Sequence, residues 1–148
     1  MAMRVGIDLV SIDSVKESIR EHGARYLERI YTEQELRDCR TDQGIVAERL
    51  AARFAAKEAT IKVLRPPGGE AVPWQTMGVV RHSSGWVAVE LSGRAAALAA
   101  EAGLSDFALS ISHEAGFASA VVIAEQAPGK QPDEPTSGAR GIGPTDGT

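Results

Sequence analysis

The chain has 148 residues, 43 % of them hydrophobic, and a formal net charge of −4. That length suits one domain with a real core. The acidic balance excludes a general nucleic-acid or membrane-surface binder, because polyanions are met by a basic footprint.

The opening "MAMRVGIDLVSID" lacks an unbroken apolar segment and carries Asp8 and Asp13, so it is not read as a signal peptide. No apolar run approaches the roughly 20 residues that a spanning helix needs. Instead "MRVGIDLVSI" alternates enough apolar and β-branched residues to predict a strand, with Gly6 permitting close backbone approach. A helix is expected from Ser14, with Val15, Ile19 and His22 on one side and Gly23 as its stop. A second short helix covers "ARYLERIY", and "TEQELRDCR" opens with Thr32 three residues before Glu35, the spacing of a capping box. Cys39 is the single cysteine, so neither an internal disulfide nor a cysteine-rich zinc cluster can form, which fits a reducing, cytoplasmic setting. It has no CxxC partner or nearby histidine to make it a nucleophile.

The longest periodic segment is 46–64, "VAERLAARFAAKEATIKVL", ended by Pro66-Pro67-Gly68-Gly69. At about 100° per residue from Leu50, the residues Leu50, Phe54, Ile61 and Leu64 fall within about 40° of one line. Glu58 and Lys62 lie side by side at one margin of that stripe and Arg53 lies at the other. Lys57 sits inside the stripe, where a lysine either snorkels out along its stem or has a specific anionic partner. Glu58 and Lys62 also form the favoured i, i+4 order, which by itself describes many solvated helices.

Further on, "TMGVVRH" and "GWVAVELS" read as a hairpin joined through Ser83-Ser84, and "GRAAALAAEAG" as a short helix stopped by Gly103. "DFALSISH" and "FASAVVIAE" read as a second strand pair across "EAG". The tail from Gln126 has four prolines, five glycines and one aliphatic side chain larger than alanine, and is read as disordered. The folded domain is therefore expected over 1–125 and the tail over 126–148. Two hairpins mixed with helices predict an α+β fold rather than a doubly wound parallel sheet.

An aspartate is poorly suited to a strand interior, and a buried carboxylate needs a partner. Asp8 is either a strand-end aspartate capping a turn or, with Glu58, one of two hard oxygen ligands for Mg²⁺, whose shell waters and substrate phosphates would complete. Lys62 would then supply a mobile point charge to those phosphates.

With these residues in view, the sequence resembles the phosphopantetheinyl transferases of the small holo-[acyl-carrier-protein] synthase type. The matching pieces are "VGIDLVSI" at 5–12, "RIYTEQEL" at 29–36, "LAARFAAKEATIK" at 50–62 and "LSISHEAGFASAVVIAE" at 109–125. The resemblance implies transfer of 4′-phosphopantetheine from coenzyme A to a serine of an apo acyl carrier protein of fatty-acid or polyketide synthesis, with release of 3′,5′-ADP. It implies Asp8 and Glu58 as magnesium ligands, Lys62 as the pyrophosphate-contacting lysine, and Arg53, Lys57 and His113 in the coenzyme A pocket. It also implies a small antiparallel sheet packed on a long helix, assembled as a homotrimer with nucleotide sites between subunits. The basic pairs Lys16 with Arg20 and Arg25 with Arg29 are expected to meet the acidic carrier protein. Two other classes remain: a non-catalytic coenzyme A or nucleotide-binding oligomer, and a magnesium-dependent pyrophosphate hydrolase. The chain departs from the family pattern after Lys62, where Val63-Leu64-Arg65 leads into "PPGGEAVPW" instead of an alanine and a glycine-bearing turn.

Overall fold

The computed structural model describes residues 2–129. Strand β1 (Ala2–Ser11) leads into helices α1 (Ile12–His22), α2 (Ala24–Ile30) and α3 (Glu33–Asp38). A two-residue ribbon, β2 (Arg40–Thr41) and β3 (Gly44–Ile45), precedes the long helix α4 (Ala47–Leu64). Two short 3₁₀ turns then lead to the hairpin β4 (Met77–Arg81) and β5 (Val87–Leu91), helix α5 (Gly93–Ala102), and the closing hairpin β6 (Leu104–Glu114) and β7 (Phe117–Gln126).

β1 pairs antiparallel with β7, and β7 with β6, giving a sheet of order β1-β7-β6 on which α4 lies. The fold is α+β, with the small antiparallel sheet and long helix that the sequence leads one to expect. Two local features depart from the reading. α1 begins at Ile12 rather than Ser14, because Ser11 is the cap and its Oγ accepts from the Ser14 amide at 3.3 Å. The β2–β3 ribbon was not expected, since two-residue strands carry no readable period.

α4 is buried almost all round, not along one stripe. Ala51, Ala55, Ala56, Ala59 and Val63 are fully buried beside Leu50 and Leu64, whereas Phe54 is half-buried and its ring meets Trp74 with centroids 5.2 Å apart. The small alanine side chains let strands come close on several sides. Gly6 marks the tightest approach: a Cβ built there would lie 2.1 Å from the carbonyl oxygen of Ala59.

The alternation of β1 divides its side chains. Arg4, Gly6, Asp8 and Val10 face α4, while Met3, Val5, Ile7 and Leu9 face away and are each about 60 % exposed or more. Val121 and Ile123 of β7 pair with Ile7 and Val5 and extend this outer apolar band. The closing strand runs to Gln126, which is buried, and the Ala127 amide donates to the Gly103 carbonyl. Ordered pairing thus passes the expected boundary at 125, and the tail expectation for 130–148 lies outside the described residues.

Candidate active site

The contact of Gly6 with Ala59 sets where β1 and α4 cross, and the charged residues meet beside that point. Lys62 lies almost one turn beyond Ala59, and its Nζ donates to the Ile7 carbonyl at 2.6 Å and to Asp8 Oδ1 at 3.2 Å. The Asp8 side chain is 21 % exposed and that of Lys62 is 52 % exposed, so the pair opens to solvent at the edge of the core. Glu58, one turn before Lys62, is half-buried on the same side. Burial, and next the charge of Asp8, lift its carboxyl above the ordinary range, with Lys62 partly opposing both. Two carboxylates are therefore held within electrostatic reach of each other, with one ammonium beside them.

This donor set suits a hard divalent cation. Both groups are oxygen ligands, and among the described residues no cluster of three or more His, Cys, Asp and Glu side chains forms a closed cage. Two carboxylates with the remaining positions left to water and phosphate is the usual protein share of a Mg²⁺ site. Burial and, next to it, the charge of Asp8 raise the Glu58 pKa, and a bound cation would offset both.

Other expected residues sit elsewhere. Lys57, expected at the coenzyme A phosphates, does not reach solvent in the single chain. Its side chain is fully buried, and Nζ donates to Glu35 Oε1 at 2.8 Å, to the Met77 carbonyl at 2.9 Å and to the Trp74 carbonyl at 3.1 Å. Of the two options for a lysine inside the apolar stripe, it takes the anionic partner. Arg53 is likewise drawn inward: it is 4 % exposed, donates to the Arg49 carbonyl at 3.1 Å and lies beside Cys39. Its guanidinium, expected to reach the coenzyme A phosphates, is turned back onto its own helix. Burial pushes the Cys39 thiol up to about 11 even with Arg53 near it, so the thiol is inert at neutral pH.

His113 is exposed near the end of β6, and its Nδ1 meets Glu48 Oε1 at 2.8 Å in the first turn of α4. Glu48 and Lys62 are fourteen positions apart, about 21 Å along the helix axis. Within one chain the histidine thus belongs to the opposite end of α4 from Asp8. Lys16, Arg20, Arg25 and Arg29 are all exposed. Arg20 is paired with Glu17, while Arg25 and Arg29 line a cleft of about 400 Å³ with His22, Tyr26, Ile30 and Trp74.

Sequence reasoning missed Glu35. The capping box forms as expected, with the Thr32 amide donating to Glu35 Oε1 at 2.8 Å and the Glu35 amide donating to Thr32 Oγ1 at 3.1 Å. The same carboxylate also takes Lys57, and its other oxygen accepts from the Val79 amide at 3.0 Å. A glutamate already explained by a cap gives no sign of a second duty. The lysine within the apolar stripe was the available signal.

Residues 4–122 match the 4′-phosphopantetheinyl transferase superfamily. The chain is 39 % identical over 125 residues to a holo-[acyl-carrier-protein] synthase of Koribacter versatilis, covering 84 % of this chain and 99 % of that one. It is 42 % identical over 121 residues to the enzyme of that name from Streptomyces avermitilis, covering 82 % and 95 %. Among solved structures it is similar to an ACPS–CoA complex from Chronobacterium ammoniagenes, with a TM-score of 0.74, 33 % identity and coverage of 86 % and 99 %. A Helicobacter pylori holo-[acyl-carrier-protein] synthase in complex with coenzyme A gives a TM-score of 0.71 at 27 % identity, covering 82 % and 100 %. An α+β chain of this topology with a paired-carboxylate and lysine site is a phosphopantetheinyl transferase by family. Within that superfamily the chain belongs to the holo-[acyl-carrier-protein] synthases.

Proposed function

We propose that this enzyme transfers 4′-phosphopantetheine from coenzyme A to a serine hydroxyl of an apo acyl carrier protein and releases 3′,5′-ADP. The observation that carries the reading is the convergence of Asp8, Glu58 and Lys62 from two distant stretches of chain, in a protein whose relatives bear the name of that activity.

Asp8 and Glu58 would hold Mg²⁺, which when bound supplies positive charge to the pyrophosphate and its leaving oxygen. Lys62 needs little reorganisation to act there, because its half-exposed ammonium already sits on Asp8 and can turn to a phosphate oxygen. The serine oxygen forms a bond to the phosphorus of the pantetheine phosphate, and the bond from that phosphorus to the bridging oxygen breaks. The serine proton passes to an acceptor at the carboxylate pair, either Glu58 or a water held by Asp8. Holding both substrates at one surface supplies the line of attack.

The exposed Met3, Val5, Ile7 and Leu9 band lies on an edge strand, where an apolar surface needs covering. We read it as the self-association face of a homotrimer. That reading also accounts for His113: tethered near the far end of α4 from its own Asp8, it is free to serve the coenzyme A pocket of a neighbouring copy. Lys16, Arg20, Arg25 and Arg29 supply basic charge for the acidic carrier. Among the described residues no helix is long and apolar enough to cross a membrane, and the unpaired Cys39 suits a reducing cytoplasm.

The test is mass spectrometry of apo carrier protein incubated with coenzyme A, Mg²⁺ and the enzyme. A gain of one phosphopantetheine, about 340 Da and dependent on the divalent ion, is the expected result. Release of 3′,5′-ADP without carrier would assign a hydrolase, and binding of coenzyme A without turnover would assign a non-catalytic binder.

A further inference from the structure

Three ties join β1 to α4. Two have been described: the packing of Gly6 on Ala59, and the reach of Lys62 to Ile7 and Asp8. The third is Arg4, which is 4 % exposed and whose Nη1 donates to the Val63 carbonyl at 3.0 Å and the Leu64 carbonyl at 3.4 Å. These carbonyls belong to the last turn of a helix, where no intrahelical donor follows. Arg4 occupies the same face of β1 as Gly6 and Asp8, so one strand grips the helix end and presents the carboxylate.

The turn that Arg4 grips is an unfavourable one. Arg65 caps α4 in the left-handed region, at φ 50° and ψ 62°, where a glycine would sit without strain. Its amide donates to the Ile61 carbonyl at 2.9 Å, so the cap closes despite the side chain. Both burial and the neighbouring charge of Arg65 work against a cation at Arg4. Among the described residues the Nε of Arg4 has no hydrogen-bond partner. A guanidinium kept there against these costs points to a task that an apolar residue does not perform.

We infer that Arg4 is a positioning residue: by holding the Val63 and Leu64 carbonyls it fixes the strained last turn of α4 on β1, and so sets Lys62 and the Asp8–Glu58 pair in working register. The chemical meaning of that register rests on the proposed function, but the mechanical statement does not. Lys62 immediately precedes Val63, and Glu58 lies one turn before it. Loosening the turn therefore moves the ammonium first and the carboxylate next.

The experiment compares the full-length parent with Arg4→Lys, Arg4→Met and the double variant Arg4→Met/Arg65→Gly. Three quantities are read well below the melting transition: amide exchange at residues 61–65, Mn²⁺ affinity by electron paramagnetic resonance, and kcat and KM for coenzyme A. Arg4→Met is expected to lose exchange protection in the last turn and to bind Mn²⁺ about tenfold more weakly, the loss seen when support for a metal ligand is removed. Its kcat should fall more than KM rises, because the misplaced groups act in the transition state. Arg4→Lys should lie between it and the parent, its single ammonium bridging at most part of the turn. Replacing Arg65 by glycine should restore protection to Arg4→Met by relaxing the turn. A folded Arg4→Met with parental exchange, Mn²⁺ affinity and kcat overturns the inference. If Arg4→Met does not fold, Arg4→Lys decides on the same three readouts. If the parent itself neither binds Mn²⁺ nor transfers the group, the functional reading fails, while the exchange data still decide whether Arg4 holds the turn.

Discussion

Replacing Lys57 by methionine separates the two roles open to this lysine. Methionine keeps most of the stem volume and removes the ammonium from a site with no solvent exposure. The Glu35 carboxylate then keeps two backbone donors, Thr32 and Val79, but loses the ammonium that balances its charge in the core, while the Trp74 and Met77 carbonyls lose a donor. Breaking a buried ion pair by removing one partner costs about 3–5 kcal/mol, because a desolvated charge is left behind. Against a typical total of about 5–15 kcal/mol, Lys57→Met should be folded but marginal.

Urea unfolding followed by circular dichroism gives the magnitude, with the midpoint falling and the slope unchanged. The double variant Glu35→Gln/Lys57→Met should recover part of the loss, since no unpaired charge remains, and the cycle gives a coupling energy of at least about 1 kcal/mol. At a temperature where Lys57→Met is folded, its KM for coenzyme A should stay close to that of the parent. An unchanged midpoint with a KM raised about tenfold would refute the reasoning and return Lys57 to the nucleotide phosphates.

Gly6→Ala should be among the most damaging single-methyl additions, costing at least about 1–3 kcal/mol and sharply lowering the transfer rate, because the strand must leave the Ala59 carbonyl to admit the new carbon; parental stability and kcat would refute this. Glu58→Gln should abolish transfer yet raise the melting temperature at pH 8 without divalent ions. The raised folded-state pKa means that ionised Glu58 opposes folding at high pH, so the advantage of glutamine should fade as pH falls through that pKa to below about 4. Val5→Lys/Ile7→Lys should leave the circular dichroism spectrum intact but convert the sedimenting species from trimer to monomer; a monomeric parent, or an unaffected trimer, would refute the assignment of the sheet face.

Much of the frame was legible because local rules and tertiary packing agree. The alternation around Asp8, the Thr32–Glu35 cap and the Ser83-Ser84 hairpin each depend on neighbours in sequence, and each is present. Asp8, Glu58 and Lys62 are legible as a set because each sits in one of two motif segments, and the structure brings the three to one margin of the core. The directions of Arg53 and Lys57 were not legible. A helical projection assumes one buried face, whereas the alanines of α4 admit neighbours on several sides and draw both basic residues inward. His113 could be placed in a motif, but the Glu48 that holds it comes from the start of a different element.

The consequence is that two lysines five residues apart on one helix are not alternatives for one task. About 100° of rotation separates Lys57 from Glu58, enough to send the first into the interior and leave the second at the margin facing Asp8. Lys57, pinned by Glu35 and two carbonyls, fixes the rotation of α4, and Gly6 and Arg4 fix its height on β1. Rotation and height together determine where the Glu58 carboxylate falls relative to Asp8. The buried lysine thus acts on the geometry of its sequence neighbour, while Lys62, half in solvent, is the cation that the proposed function assigns to a phosphate.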